Sequence, residues 1–285
     1  MRLMFPDIKA ASQVFGRAAY SYGPLINQIS ERLCRETYHF EELSDYEIKM
    51  LNPASGRSYS GRIYWQEILF RAHLSSVTSI ARTTKWAQAN ANANLYAWSA
   101  ACRSLLESCG DSGQSLGSVS LTLARFHRMI NREIEGRGTG DFIAAPELEN
   151  TLIHFTHARK ISKHDRVEEE THKARQPWEY IKFIEAMKIA GANELYSDLC
   201  EIVHPAATSV GLMIVEKNGG FAVYFEQEGR LLSALVSDRR ELLSNVLMSA
   251  YNPPLLILRV PHKFRLFAQI DALRHYRFDA IPLWK

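Results

Sequence analysis

The sequence is short of nearly everything that marks a secreted, membrane-spanning or metal-bound protein. Its 285 residues hold four cysteines, Cys34, Cys102, Cys109 and Cys200, with no C-x-x-C pair and no zinc-finger spacing. A disulfide scaffold and a zinc module are thereby excluded. Cys102 and Cys109 fall on one expected helix, where a rise of about 1.5 Å per residue separates them by roughly 10 Å, beyond disulfide reach. All four read as reduced thiols packing as small hydrophobes. No apolar run approaches the roughly 18 residues of a membrane span; Val210–Val215 and Leu255–Leu258 are among the densest. The first residues, MRLMFPDIKAASQVFGRAAY, lack the apolar core of a signal peptide. A cytoplasmic protein with no membrane attachment is the expectation.

Phosphate-loop and hydrolase signatures are missing too. GRGTG (Gly136–Gly140) follows a helix rather than a strand and lacks the Lys-Ser/Thr of a P-loop. G-x-S-x-G is absent, and GDSG (Gly110–Gly113) sits in a helical context that contradicts a protease reading. His154, His157 and His164 share a helix face, but no H-E-x-x-H or D-x-D accompanies them, and they read as exposed histidines on a charged surface. Neither a metal nor a cofactor is expected. Charge of one sign is scarce: Lys+Arg of 34 against Asp+Glu of 31 leaves +3, too little to imply nucleic acid by itself. With 46% hydrophobic and 23% charged residues, the chain is a globular protein and not a disordered one. Its one compositional bias is arginine, 23 of the 34 cationic residues.

What is present is helical periodicity. Helices are expected at about 24–42, 62–87, 95–108, 119–135, 147–162, 178–190, 194–203, 231–250 and 264–276, from apolar stripes such as Trp65, Ile68, Leu69 and Ala72. Turns are expected at Asn52–Gly61 and Gln88–Asn94, and glycines 110, 113 and 117 are expected to break a helix. GRGTGD (Gly136–Asp141) reads as a hinge, and Lys163–Gln176 as a solvated face or linker. Leu255–Val260 is compatible with strand or helix. The one β feature is Gly211–Glu226, where two β-rich runs flank Asn218-Gly219-Gly220; a lone hairpin is marginal in water and should therefore lie on the helices. The predicted fold is mainly all-α, a helical bundle of eight or nine helices with one small hairpin. It forms a single domain, with a division into halves 1–140 and 147–285 on offer.

Two segments carry polar groups beside their apolar faces. In ELYSDLCEIVHP (Glu194–Pro205), Tyr196, Cys200 and His204 follow at i, i+4, i+8, with Glu201 on the polar side. His204 at a helix C-terminus serves either as a cap or as an acid, base or anion ligand in a groove. In LYAWSAACRSLLES, Tyr96, Arg103 and Glu107 line one flank, readable as a surface ion pair or as a polar layer facing the His204 helix. Arg239 falls in the middle of an apolar face and so requires a partner charge, a ligand or a binding partner. The tail adds Arg259, Lys263, Arg265, Arg274 and Arg277, a solvated basic face or a phosphate-backbone contact.

The pairing of RSLLE (Arg103–Glu107) with YSDLCEIVHP (Tyr196–Pro205) resembles a class of bacterial helical proteins similar to the HEPN bundles. The resemblance spans Leu95–Pro205. It implies a cytoplasmic nucleotide-binding or RNA-cleaving bundle of the phage-defence or toxin–antitoxin kind. RNA-cleaving members carry Arg-x(4–6)-His, which does not end at His204. The spacing recurs at Arg159–His164, Arg166–His172 and Arg32–His39, about as often as chance supplies. In a nuclease, Arg159 would hold the phosphate oxyanion and His164 would move a proton. Two functions follow as expectations. One is a non-catalytic module binding a protein or nucleotide beside Tyr96, Arg103, Glu107, Tyr196, Glu201 and His204. The other is a metal-independent, homodimeric ribonuclease or toxin.

Overall fold

The computed structural model describes residues 3–33, 35–51, 56–91, 94–138, 144–161, 170–205, 207–224 and 227–274. Its helices are α1 (Ile8–Phe15), α2 (Arg17–Leu33), α3 (Leu43–Met50), α4 (Gly56–Ala91), α5 (Leu95–Leu116), α6 (Val119–Arg125) and α7 (His127–Ile134). They continue with α8 (Pro146–His157), α9 (Pro177–Ala186), α10 (Ala192–Val203) and α11 (Ala207–Gly211), then the hairpin β1 (Ile214–Lys217) and β2 (Gly220–Val223). The long α12 (Gln227–Arg259) and the short α13 (Asp271–Arg274) complete the order, with 3-10 turns at Glu170–His172 and Pro261–Phe264. The protein is mainly α with one small hairpin, as its periodicity predicts. The helices outnumber the eight or nine expected: α1, α3 and α11 fall where the periodicity predicts no helix, and the helix expected at 119–135 is broken at Phe126 into α6 and α7.

The chain forms two compact units that do not follow the halves 1–140 and 147–285. Unit 1 comprises Met1–Ser30, Ser79–Gln114 and Arg175–Asn252, and unit 2 comprises Glu31–Thr78, Ser115–Ala174 and Pro253–Lys285.

In unit 1 the core runs along α5, whose Leu95, Trp98, Cys102, Leu105, Leu106 and Cys109 are buried on the predicted arc. Asn94 caps it, its Oδ1 accepting the Ala97 N–H at 2.9 Å. Gly110 and Gly113 do not break the helix; they let a neighbour approach. A Cβ on Gly110 would lie 2.6 Å from the Tyr180 carbonyl oxygen, and one on Gly113 2.6 Å from the Phe183 ring. Helix α9 starts where Pro177 predicts, the Gln176 N–H donating to Glu179 Oε2 at 2.7 Å. Three other prolines, Pro24, Pro253 and Pro254, sit inside helices. Pro24 lies within α2, whose buried Ala18, Ala19, Tyr22, Leu25, Ile26 and Ile29 run past it on both sides. Pro254 removes the N–H that would meet the Ala250 carbonyl, and the Ser112 hydroxyl donates to that carbonyl instead, at 3.1 Å. Helix α12 therefore passes the Asn252-Pro253-Pro254 stop expected from sequence, and Leu255–Leu258 is helix, not strand.

Unit 2 centres on Trp65, Leu69, Leu123, Leu152, Ile257 and Phe264. Gly61, expected in a turn, lies inside α4, while residues 52–55 fall outside the described residues. Beside this core, His73 stacks on Phe267 with centroids 4.1 Å apart, and the Tyr38 hydroxyl and His73 Nδ1 share a hydrogen bond at 2.7 Å. Burial, aided by the positive charge of Arg32, pushes the His73 pKa down to about 4, so the ring is neutral. Helix α8 stops at His157, short of the expected residue 162. The chain then pairs backbone to backbone, the Arg159 N–H donating to the His172 carbonyl and the Ala174 N–H to that of Arg159, both at 2.9 Å.

Candidate functional site

Four of the residues singled out from sequence meet in unit 1. Arg103 and Glu107 sit one turn apart on the half-exposed stripe of the otherwise buried α5. Tyr196 stands on α10, with Leu195, Leu199 and Ile202 turned into the core. His204 is the residue at which Pro205 ends α10: its backbone is extended, and its N–H closes the helix on the Cys200 carbonyl at 2.9 Å.

The side chains form a continuous network. Tyr196 donates its hydroxyl to Glu107 Oε1 at 2.7 Å, and Arg103 Nε donates to both the Tyr196 oxygen, at 3.1 Å, and Glu107 Oε1, at 3.2 Å. The guanidinium carbon lies 5.4 Å from the Tyr196 ring centroid, within cation–π range. Arg103 Nη1 then reaches His204 Nε2 at 3.4 Å. Because a guanidinium has no acceptor, Arg103 is the donor in this contact and His204 Nε2 the acceptor. Burial, followed by the hydrogen bond to Glu107, pushes the Tyr196 pKa up to about 12, which keeps it a donor. The cluster thus fixes a cation and an imidazole side by side. Among the described residues no partner meets Arg103 Nη2 or His204 Nδ1, leaving N–H groups available to an acidic group.

The other predicted residues stand apart from this network. Tyr96 lies two turns up α5 and donates to the Ser209 carbonyl at 2.8 Å, tying down α11. Glu201 accepts from the Thr208 hydroxyl at 3.1 Å. Arg239 is neither unpaired nor part of the cluster: it lies against α10, 3.4 Å from Asp198 and 3.7 Å from Glu194. In unit 2, Arg159 is exposed, and His164 falls outside the described residues. His154 is buried against the Thr171 carbonyl at 2.9 Å, and His157 is exposed. No group of three metal-ligating side chains occurs among the described residues.

Sequence reasoning missed what the hairpin exposes. Asn218 and Gly219 both take positive φ, 54° and 76°, so the turn has the hand that a tight hairpin needs. Its register pairs Ile214 with Val223, Val215 with Ala222 and Glu216 with Phe221. Opposed residues share a face, so Ile214, Val223 and Phe221 lie together with Glu216, and Val215 with Ala222. Only the second set is half-buried. The first is open, with Phe221 84%, Val223 62% and Ile214 41% exposed. Val215 and Ala222 are thus half-buried on one face, while Ile214, Phe221 and Val223 face outward on the other. The alternation in GLMIVEKNGGFAVYFE was the available signal: at a period of two it sets Ile214 opposite in facing to Val215, so apolar residues fall on both faces of the ribbon. Comparison with models of known families, with curated proteins and with solved structures finds no match.

Proposed function

We propose that the protein is a non-catalytic interaction module. The observation that carries this reading is the outward apolar face of the hairpin, Ile214, Phe221 and Val223. A cluster of bulky apolar side chains held open on a two-stranded ribbon marks a contact surface. The partner it fits is a protein segment presenting an apolar residue beside a carboxylate. Phe221 and Val223 take the first, and the N–H groups of Arg103 and His204 take the second. Tyr96 and Thr208 hold α11, the link between those two regions, in place. A role in bacterial defence would be exercised through such a partner.

Selection from a displayed peptide library tests this. Wild-type protein should enrich peptides with a large apolar residue next to Asp or Glu. Phe221→Asp with Val223→Asp should lose the enrichment, and His204→Ala should lose only the preference for the acid. Enrichment unaffected by these changes would sink the reading.

A second reading, a metal-independent ribonuclease or toxin similar to HEPN enzymes, draws on the 3.4 Å contact of Arg103 with His204. In that reading Arg103 stabilises a phosphate oxyanion while His204 moves a proton. Purified protein that shortens labelled RNA, and a His204→Ala variant that does not, would replace the first reading with this one.

A further inference from the structure

Unit 2 holds a cleft of about 820 Å³ between the α6–α7 corner and the chain from the end of α12 to α13. That volume lies within the roughly 300–1,000 Å³ of small-molecule sites. Its cationic lining is Arg259, Lys263 and Arg274, joined by the imidazoles of His127 and His262. No carboxylate is among the described residues that line it. Its floor is apolar, with Leu258, Val260, Ile270 and Leu273 all buried there. Among the described residues neither Lys263 nor Arg274 has a carboxylate within ion-pair distance, although Arg265 nearby in sequence reaches Glu135 at 3.7 Å. His262 reports the field in the cleft: burial, then the charges of Lys263 and Arg259, hold its pKa below the ordinary histidine range.

We propose that this cleft binds a small organic phosphate, its phosphate groups on Lys263, Arg259 and Arg274 and its less polar body on the Leu258–Leu273 floor. Converging cations favour a group of more than one negative charge, and neighbouring N–H donors match phosphate oxygens. The buried apolar floor separates this ligand from a bare inorganic anion, which gains nothing from it. The site lies outside Leu95–Pro205, and its residues are not those of the Arg103 cluster.

Calorimetric titration with ATP, with tripolyphosphate and with a short 5′-phosphorylated RNA tests the assignment. ATP should bind at one site and more tightly than tripolyphosphate. Lys263→Ala with Arg274→Ala should weaken it about tenfold or more, since two charge-assisted contacts are lost. Ala124→Glu, which sets a carboxylate into the lining, should abolish binding. All three positions are exposed, so melting temperature and circular dichroism should stay unchanged. Lys217→Ala with Arg230→Ala, exposed cations of unit 1, should bind ATP as the wild type does. Several results would overturn the proposal: no heat with ATP, ATP binding indifferent to the cleft variants, or tripolyphosphate binding as tightly as ATP. RNA binding tenfold tighter than ATP would likewise replace the small ligand with a polymer.

Discussion

Arg103 in unit 1 and Lys263 in unit 2 are both cations beside apolar side chains, yet their surroundings differ in kind. Arg103 is held by Glu107, Tyr196 and His204, and Arg239 faces Asp198 and Glu194 across α10. Unit 1 thus keeps charge inside its helix contacts and neutralises it there. Unit 2 buries His73 as a neutral ring and sets Lys263 and Arg274 along an open cleft. A cation matched by carboxylates has its field consumed within the fold; one lining a cleft with no carboxylate among its described residues still has that field to offer a ligand.

The largest expected effect separates the two units by acid. His73 has a folded pKa of about 4, below the 6.5 of an unperturbed ring, so the unfolded chain takes up its proton first. Its contribution is full above pH 6.5 and falls away as the pH drops toward 4, a loss on the order of 3 kcal/mol. Urea denaturation across that window should show this slope for the wild type and a shallower one for Tyr38→Phe with His73→Phe. Equal slopes would remove His73 as the cause. Next in size is Glu107→Ala, which takes the shared acceptor from Arg103 and Tyr196. It should cost about 1–2 kcal/mol in denaturant, with Glu107→Gln losing less. An equal loss in both variants would mean that the carboxylate charge, and not its shape, holds the network. Smallest is Arg239→Ala. Its partners are 74% and 49% exposed, so thermal unfolding should report only about 0.2–1 kcal/mol. A larger value would place Arg239 with Arg103 as a structural cation.

Features decided within a few residues were readable from the sequence. The Asn218-Gly219 turn, the Pro177 helix start, the His204-Pro205 stop and the buried arc of α5 follow from local sterics and periodicity. What escaped was decided by distant chain. Gly110 and Gly113 read as breakers until Tyr180 and Phe183 pack on them. Pro254 reads as a stop until Ser112, far away in sequence, supplies the missing donor. The site divides in the same way. The spacing of Arg103 and Glu107 fixes them as neighbours, and the α10 wheel sets Tyr196 and His204 on one edge. That Tyr96 would instead reach a backbone carbonyl, at Ser209, leaves no trace in side-chain spacing. The basic cleft was half visible: the tail announced its cations, but nothing in the sequence brings His127 to them.

The division of the chain into two units also governs how the protein can be made. Each unit draws on three separate stretches, and those stretches alternate along the sequence. As the chain leaves the ribosome, unit 1 cannot close until Asn252 has emerged, and unit 2 waits for the residues beyond it. Early helices such as α2 and α4 are thus synthesised long before their partners and must keep their apolar faces from premature pairing. A cut at any one loop severs contacts without releasing an intact unit. Truncation at residue 140 should therefore leave two sticky fragments, where consecutive domains would have left two foldable ones.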